Sequence, residues 1–186
     1  MRKPKNSPNV SREIRPPDVS RAGLDAAALR YLERFDCSSA KLLRVLTERL
    51  TKATRAGVDT SEARLVVGEL LERYQASGLI DDRRFAQNFA ARQRDRGSSR
   101  RMIEQKLRLR GISGELTQQV LAQPELRESE LEAARAFARR RRLGPHRKPE
   151  LREANRRKDL MALARAGFDF DTAARAIGHS SFDEDF

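Results

Sequence analysis

Apolar residues in this chain recur at helical spacing in short stripes, and no sustained strand-like alternation or Asn-Gly or Asp-Gly hairpin signal is present. Ala28, Leu32 and Phe35 share a face at i, i+4, i+7, and Leu42, Leu46 and Leu50 form a second stripe at four-residue intervals. Val67, Leu70, Leu71 and Tyr74 make a third stripe. Phe85 with Phe89, Ile103 with Leu107, and Leu116 with Val120 define three shorter ones. Leu131, Ala134 and Ala138, then Leu160, Leu163 and Ala164, then Ala173, Ala176 and Ile177 complete the series. All are read as core. Ser38-Ser39, Thr60-Ser61, Ser98-Ser99 and Asp169 stand where N-caps are needed, and Ser129 with Glu132 reads as a capping box. Gly78, Gly97, Gly111, Gly144 and Gly167 stand where helices end.

The stripes also repeat as a group. In "MIEQKLRLRGISGELTQQVL" and "LMALARAGFDFDTAARAI" a Leu lies four residues before a Gly (Leu107, Leu163), an apolar residue follows the Gly (Ile112, Phe168), and a short helix comes next. "SSAKLLRVLTERL" begins the same plan. The expected architecture is all-α: an elongated tandem array of three three-helix repeats, spanning 23–78, 79–124 and 125–179. Residues 1–22, polar, basic and proline-bearing, are expected to be a disordered tail, and 180–186 a loose acidic one. The connection after Leu50 is longer than a short turn, so the second helix is either extended there or followed by a real loop.

With aromatics at 5% and no Trp, one thick core is not available, and thin helical layers are. A net charge of +12 makes polyanions the first candidate partners: DNA, RNA or acidic protein, with anionic lipid behind them. No apolar run has a membrane span's length and the N-terminus lacks a signal peptide's apolar stretch. Cys37 is alone, which fits a cytoplasmic protein.

Several patterns imitate catalytic chemistry. Asp81-Asp82 opens a helix just ahead of a basic stretch, and the choice is between a helix start and a metal or acid/base site. Two-metal chemistry needs further carboxylates converging on one point, whereas the neighbouring acids are scattered among arginines, so the cap reading is favoured. The enzyme reading would predict dependence on divalent metal. Ser38 to Lys41 match Ser-x-x-Lys without its companion motifs, and Gly111 to Gly114 match a GxxG loop without the sheet it needs. There is no P-loop, and His146 and His179 stand far apart, so neither metal nor cofactor is expected.

Arginine carries the functional signal. Arg92, Arg94, Arg96, Arg100, Arg101, Lys106, Arg108 and Arg110 crowd one helix junction. Arg139, Arg140, Arg141 and Arg142 form a second cluster, and Arg147, Lys148, Arg156, Arg157 and Lys158 a third. Guanidinium groups suit bidentate contact with phosphate or carboxylate. Neutralising several phosphates would give strong, salt-sensitive binding. No aromatic is interleaved with these runs, so stacking on single-stranded bases is not expected.

Segments "ALRYLERFDCSSAKLLRVL", "GLIDDRRFA", "RQRDRGSSRRMIEQKLRLRGI", "AFARRRRLGP" and "RRKDLMALARAGFDFDTAARAI" resemble, in order and spacing, the RecX family of bacterial RecA modulators, over about residues 25–178. That resemblance implies three tandem three-helix repeats and no catalytic activity. It implies binding along RecA filaments that reduces ATP hydrolysis, strand exchange and co-protease activity, with single- or double-stranded DNA a further partner in some members. A monomer is expected. On this reading Arg92, Arg94, Arg96, Arg100, Arg101, Arg108 and Arg110 serve the middle repeat's contacts. Arg139 to Arg142, Arg156, Arg157 and Lys158 serve the third's. The competing expectation is a stand-alone DNA-binding protein, because three-helix units also resemble helix-turn-helix modules.

Overall fold

The computed structural model of the chain describes residues 16–124, 126 and 130–178. These residues are helical, with no strand among them. In chain order the helices are α1 (Arg21–Leu32), α2 (Ser39–Arg55), α3 (Ser61–Ala76), α4 (Asp82–Asp95), α5 (Arg100–Leu109), α6 (Gly114–Leu121), α7 (Glu130–Arg141), α8 (Arg152–Arg165) and α9 (Phe170–Ala176). Each successive trio packs mainly on itself, and α4 against α7 links the second trio to the third.

Three separate small cores result. Leu24, Leu42, Leu46, Leu70 and Tyr74 centre the first, Phe85, Phe89, Ile103, Leu107 and Val120 the second, and Ala134, Ala138, Leu163, Phe168 and Ala173 the third. Ile80 packs in the first core and Leu126 in the second, each just past the expected repeat boundary. Two residues read as core lie outside it: Ala164 is exposed on α8, and Phe35 is 52% exposed. For Phe35 the reason is that α1 stops at Leu32: the Arg34 and Phe35 amides both bond back to the Tyr31 carbonyl, which swings Phe35 off the stripe.

The helix ends follow local chemistry. Ser38, Ser99, Ser113 and Asp169 accept from the amide three residues on, whereas the Thr60 side chain makes no capping bond and pairs with the Thr54 hydroxyl at 3.0 Å instead. The Leu-x-x-x-Gly-apolar echo is a Schellman closure: Ile112 N–H donates to the Leu107 carbonyl at 3.1 Å and Phe168 N–H to that of Leu163 at 3.2 Å, bringing both apolar pairs into the cores. The second helix is indeed extended, running 17 residues to Arg55. At the end of α7 Arg142, φ 54°, takes the left-handed position just past the helix, and Gly144, φ 52°, is left-handed two residues later. Helix α1 starts at Arg21, inside the expected tail, because Ser20 caps it and accepts from the Gly23 amide at 3.1 Å. Residues 1–15, Ser129, His179 and the acidic stretch 180–186 lie outside the described residues.

One junction occurs twice between repeats. The Ser38 hydroxyl, at the start of α2, donates to the Arg110 carbonyl at the end of α5 at 2.6 Å. The Ser99 hydroxyl, at the start of α5, donates to the Ala166 carbonyl at the end of α8, also at 2.6 Å. A carboxylate in the next repeat's first helix then receives the following amide: Ser39 N–H donates to Asp82 at 2.8 Å and Arg100 N–H to Glu130 at 3.1 Å. A Cβ on Gly111 would come within 2.3 Å of the Ala40 Cβ, and one on Gly167 within 2.6 Å of the Ser99 Oγ. The middle helix of each repeat therefore enters against the exit of the next repeat's middle helix.

Candidate basic face

The adjacent aspartates do separate jobs. Asp81 caps α4, accepting from Arg84 N–H at 2.9 Å, while Asp82 closes the entry of α2, accepting also from the Ser39 hydroxyl at 2.5 Å. Among the described residues no three His, Cys, Asp or Glu side chains are grouped to hold a metal ion, and no helix is long and apolar enough to cross a membrane.

The arginines divide once folded. Arg94 must be withdrawn from the candidate surface: it is 5% exposed and ion-paired with Glu130, fastening α4 to α7. It continues the buried stripe of Ala86 and Ala90 at i, i+4, i+8. Arg100 is half-buried, donating to the Leu121 carbonyl at 2.6 Å and to Gln118 at 3.0 Å, so its guanidinium holds α6 against α5. Arg147 of the third cluster is likewise engaged with buried Asp159, at 2.6 and 3.1 Å, while the Gly144 amide takes the same carboxylate at 2.8 Å. Arg156 is half-buried on α8. Arg96, Arg101, Arg108, Arg139, Arg140, Arg141, Arg142, Arg157 and Lys158 are exposed or partly so, Arg108 lying 3.4 Å from Glu104.

What the fold brings together differs from the sequence clusters. Lys106 on α5 donates to Gln93 at 2.5 Å and Ser98 at 3.3 Å. Burial pushes its pKa down, and the positive charges of Arg110, Arg140 and Arg96 push it further the same way. Cations from α5, from the end of α4 and from α7 thus converge close enough to repel one another, and an anion placed there relieves that repulsion. Arg110 extends the group: its guanidinium lies 4.2 Å from the centre of the Phe89 ring and donates to the Lys106 carbonyl at 2.9 Å. Beyond Arg110 a hollow of about 470 Å³ at the first junction is lined by Lys41, Arg44 and Arg92 with Tyr31, Phe35 and Leu109. Arg92, exposed, lies 3.6 Å from Asp36 there.

Lys41 and Arg44 were not among the sequence candidates, because they sit singly in an amphipathic helix and join the basic group only through the fold. Aromatics that are not interleaved with the basic runs in sequence do stand near some of their cations in the fold. Tyr31 and Phe35 lie in the same hollow as Lys41, Arg44, Arg92 and Arg110, far from the last two in sequence but adjacent in space.

Fold and face together define a helical-repeat protein that presents a basic surface across two inter-repeat junctions. Comparison with known proteins places it. Residues 81–121 match a family profile described as "RecX, second three-helix domain". A Myxococcus xanthus (strain DK1622) protein named "Regulatory protein RecX" is 42% identical over 165 residues, covering 88% of each chain. A protein of the same name from Halorhodospira halophila (strain DSM 244 / SL1) is 32% identical, over 86% of this chain and 89% of its own. A crystal structure titled "Crystal structure of regulatory protein RecX" superposes with a TM-score of 0.60 over 84% of this chain and 72% of its own, at 23% identity, and so shares the fold. The chain belongs to the RecX family of regulatory proteins.

Proposed function

We propose that this protein binds RecA nucleoprotein filaments and modulates them, mostly by inhibiting RecA's ATP hydrolysis, strand exchange and co-protease activity, without catalysis of its own. It works in the cytoplasm as a monomer, each repeat making its own contacts. The observation that carries this reading is the duplicated junction. Ser38 on Arg110 and Ser99 on Ala166 set three small cores in a fixed series, with cations placed across the seams. A rod of linked, individually weak contacts gains avidity on a polymer that repeats. A rod that spans neighbouring subunits binds one filament state better than another and so resists the changes of turnover.

The test is RecA's DNA-dependent ATPase rate at saturating single-stranded DNA, with this protein substoichiometric to RecA. The rate falls if the filament is the target. An unchanged rate, together with sequence-selective duplex affinity in the absence of RecA, supports the stand-alone DNA-binding alternative instead. The double variant Arg96→Glu with Arg101→Glu avoids the Arg94 and Arg100 side chains that hold helices together. It is expected to raise the half-inhibitory concentration roughly tenfold, about 1.4 kcal/mol for two reversed surface charges, with unchanged far-UV circular dichroism.

A further inference from the structure

Phe35 is a large aromatic left half in solvent at the seam between the first and second repeats. A lone exposed aromatic carries no message. This one is built in. Its ring lies 4.9 Å from that of Tyr31, tilted 38°. Its backbone is fixed by the amide bond to the Tyr31 carbonyl at 3.0 Å. It lines two hollows together with Tyr31, of about 450 and about 470 Å³, and a third of about 390 Å³ with Glu33, Asp36, Asp81 and Arg84. Cations predominate in the two shared with Tyr31: Arg34, Arg49 and Lys52 against Glu48 in the first, and Lys41, Arg44 and Arg92 in the second. Asp36, which shares the second hollow, is already faced by Arg92.

An apolar ring face bounded on two sides by guanidinium and ammonium groups is the arrangement that holds a single strand: a base stacks on the ring and the flanking phosphates meet the cations. An acidic protein segment would use the cations alone and gain little from the ring face. A duplex, with its bases stacked internally, offers nothing to Phe35. We propose that Phe35, backed by Tyr31, is a stacking platform for one unpaired base of single-stranded nucleic acid, and that Arg34, Lys41, Arg44 and Arg92 take the phosphates beside it. This goes beyond filament binding by giving the DNA contact that the family resemblance implies a place on named residues of this chain.

The chain contains no Trp, so Phe35→Trp supplies a single fluorescent reporter at the site. The full-length chain, without RecA, is titrated against a fluorescein-labelled fifteen-nucleotide oligo(dT) and against a duplex of equal length. The single strand is expected to bind more tightly to the parent chain. Phe35→Ala weakens that binding by between about fivefold and about 150-fold, the range for losing one base–aromatic stack. It leaves the salt dependence of binding unchanged, whereas Arg44→Glu lowers the salt slope by about one phosphate contact. Phe35→Trp retains affinity, and its indole emission is quenched by unlabelled oligo(dT). Unchanged single-strand affinity in Phe35→Ala, or indole emission of the Phe35→Trp variant that stays unquenched at saturation, overturns the proposal. So does a Phe35→Ala variant that loses only RecA inhibition, which would give the platform to a protein partner. Because Phe35 is half-exposed and outside the core, circular dichroism of these variants is expected to match the parent.

Discussion

Replacing Ser99 by Ala tests whether the repeats are locked by hydrogen bonds or merely touch. The Ser99 hydroxyl has two partners: it accepts from the Met102 amide at 3.2 Å, capping α5, and donates at 2.6 Å to the distant Ala166 carbonyl. Loss of a serine cap costs about 1 kcal/mol. Loss of a part-buried hydrogen bond that leaves a carbonyl unanswered adds roughly 1–2 kcal/mol. Ser99→Ala should therefore destabilise by about 2–3 kcal/mol. Ser113 is the matched control, since it caps α6 by the same geometry, accepting from Leu116 N–H at 3.2 Å, on a helix that enters no such junction. Ser113→Ala should cost only about 1 kcal/mol. Urea unfolding followed by far-UV circular dichroism measures both. Because each repeat has its own core, weakening the seam should also broaden the Ser99→Ala transition as the third repeat unfolds ahead of the others. Equal midpoints and equal slopes for the two variants would refute the idea of a junction held by Ser99.

The same seam is probed from its other side by glycine. Gly167→Ala puts a Cβ at 2.6 Å from Ser99 Oγ and a side chain at φ +91°, whereas Gly57→Ala meets a comparable φ of +83° with no described atom within 4 Å. In urea melts the first should cost at least about 1 kcal/mol more than the second. Cys37 is buried, and burial, with the negative charges of Asp36 and Asp82 added, pushes its thiol up to about 11. With Ellman's reagent at about pH 8 the native chain should react roughly a hundredfold more slowly than the unfolded one, because so little thiolate is present. Tyr74 is pushed up to about 12, chiefly by burial and then by its hydrogen bond to Asp25, and burial raises Tyr31 as well. A raised folded pKa means that the native state holds its proton more tightly. The associated stability is intact below the ordinary value of 10.0 and is lost as pH climbs from there towards about 12. In a tyrosinate absorbance titration neither Tyr31 nor Tyr74 of the native chain should ionise at the ordinary value, and Tyr74→Phe should remove the later component.

Which parts of this structure could be read from the sequence follows from the range of the interactions. The Schellman closures at Gly111 and Gly167 are local, Leu107 with Ile112 and Leu163 with Phe168, so their repetition in sequence revealed the repeat itself. Ser38 and Arg110 are 72 residues apart, and nothing local in a cap serine says that its hydroxyl also reaches another repeat. Arg94 and Asp159 were lost to composition. Both sit on buried stripes, Arg94 after Ala86 and Ala90, Asp159 one turn before Leu163, yet a charged residue within a charged run reads as solvated until its partner is seen. Phe35 failed in the opposite sense. Its i+7 spacing from Ala28 presumed a helix that continues, and the bonds to the Tyr31 carbonyl end α1 first.

The junction is not offered alike at every middle helix of the described repeats. Each seam needs two unlike halves: a serine with a free hydroxyl at the entry of one middle helix, and a left-handed glycine with an exposed carbonyl beside it at the exit of the next. The first repeat carries the exit half in Ala56 and Gly57, where a Cβ on Gly57 would meet no described atom within 4 Å. The third repeat lacks the entry half. Helix α8 starts after a 3₁₀ turn, Pro149–Leu151, with Leu151 at its cap and no side-chain hydrogen bond there. The space is given instead to Arg147 and the Gly144 amide on buried Asp159, a closed set of bonds within the third repeat. The seam made twice by Ser38 and Ser99 is therefore not repeated at the entry of α8, where the bonds close within the third repeat instead.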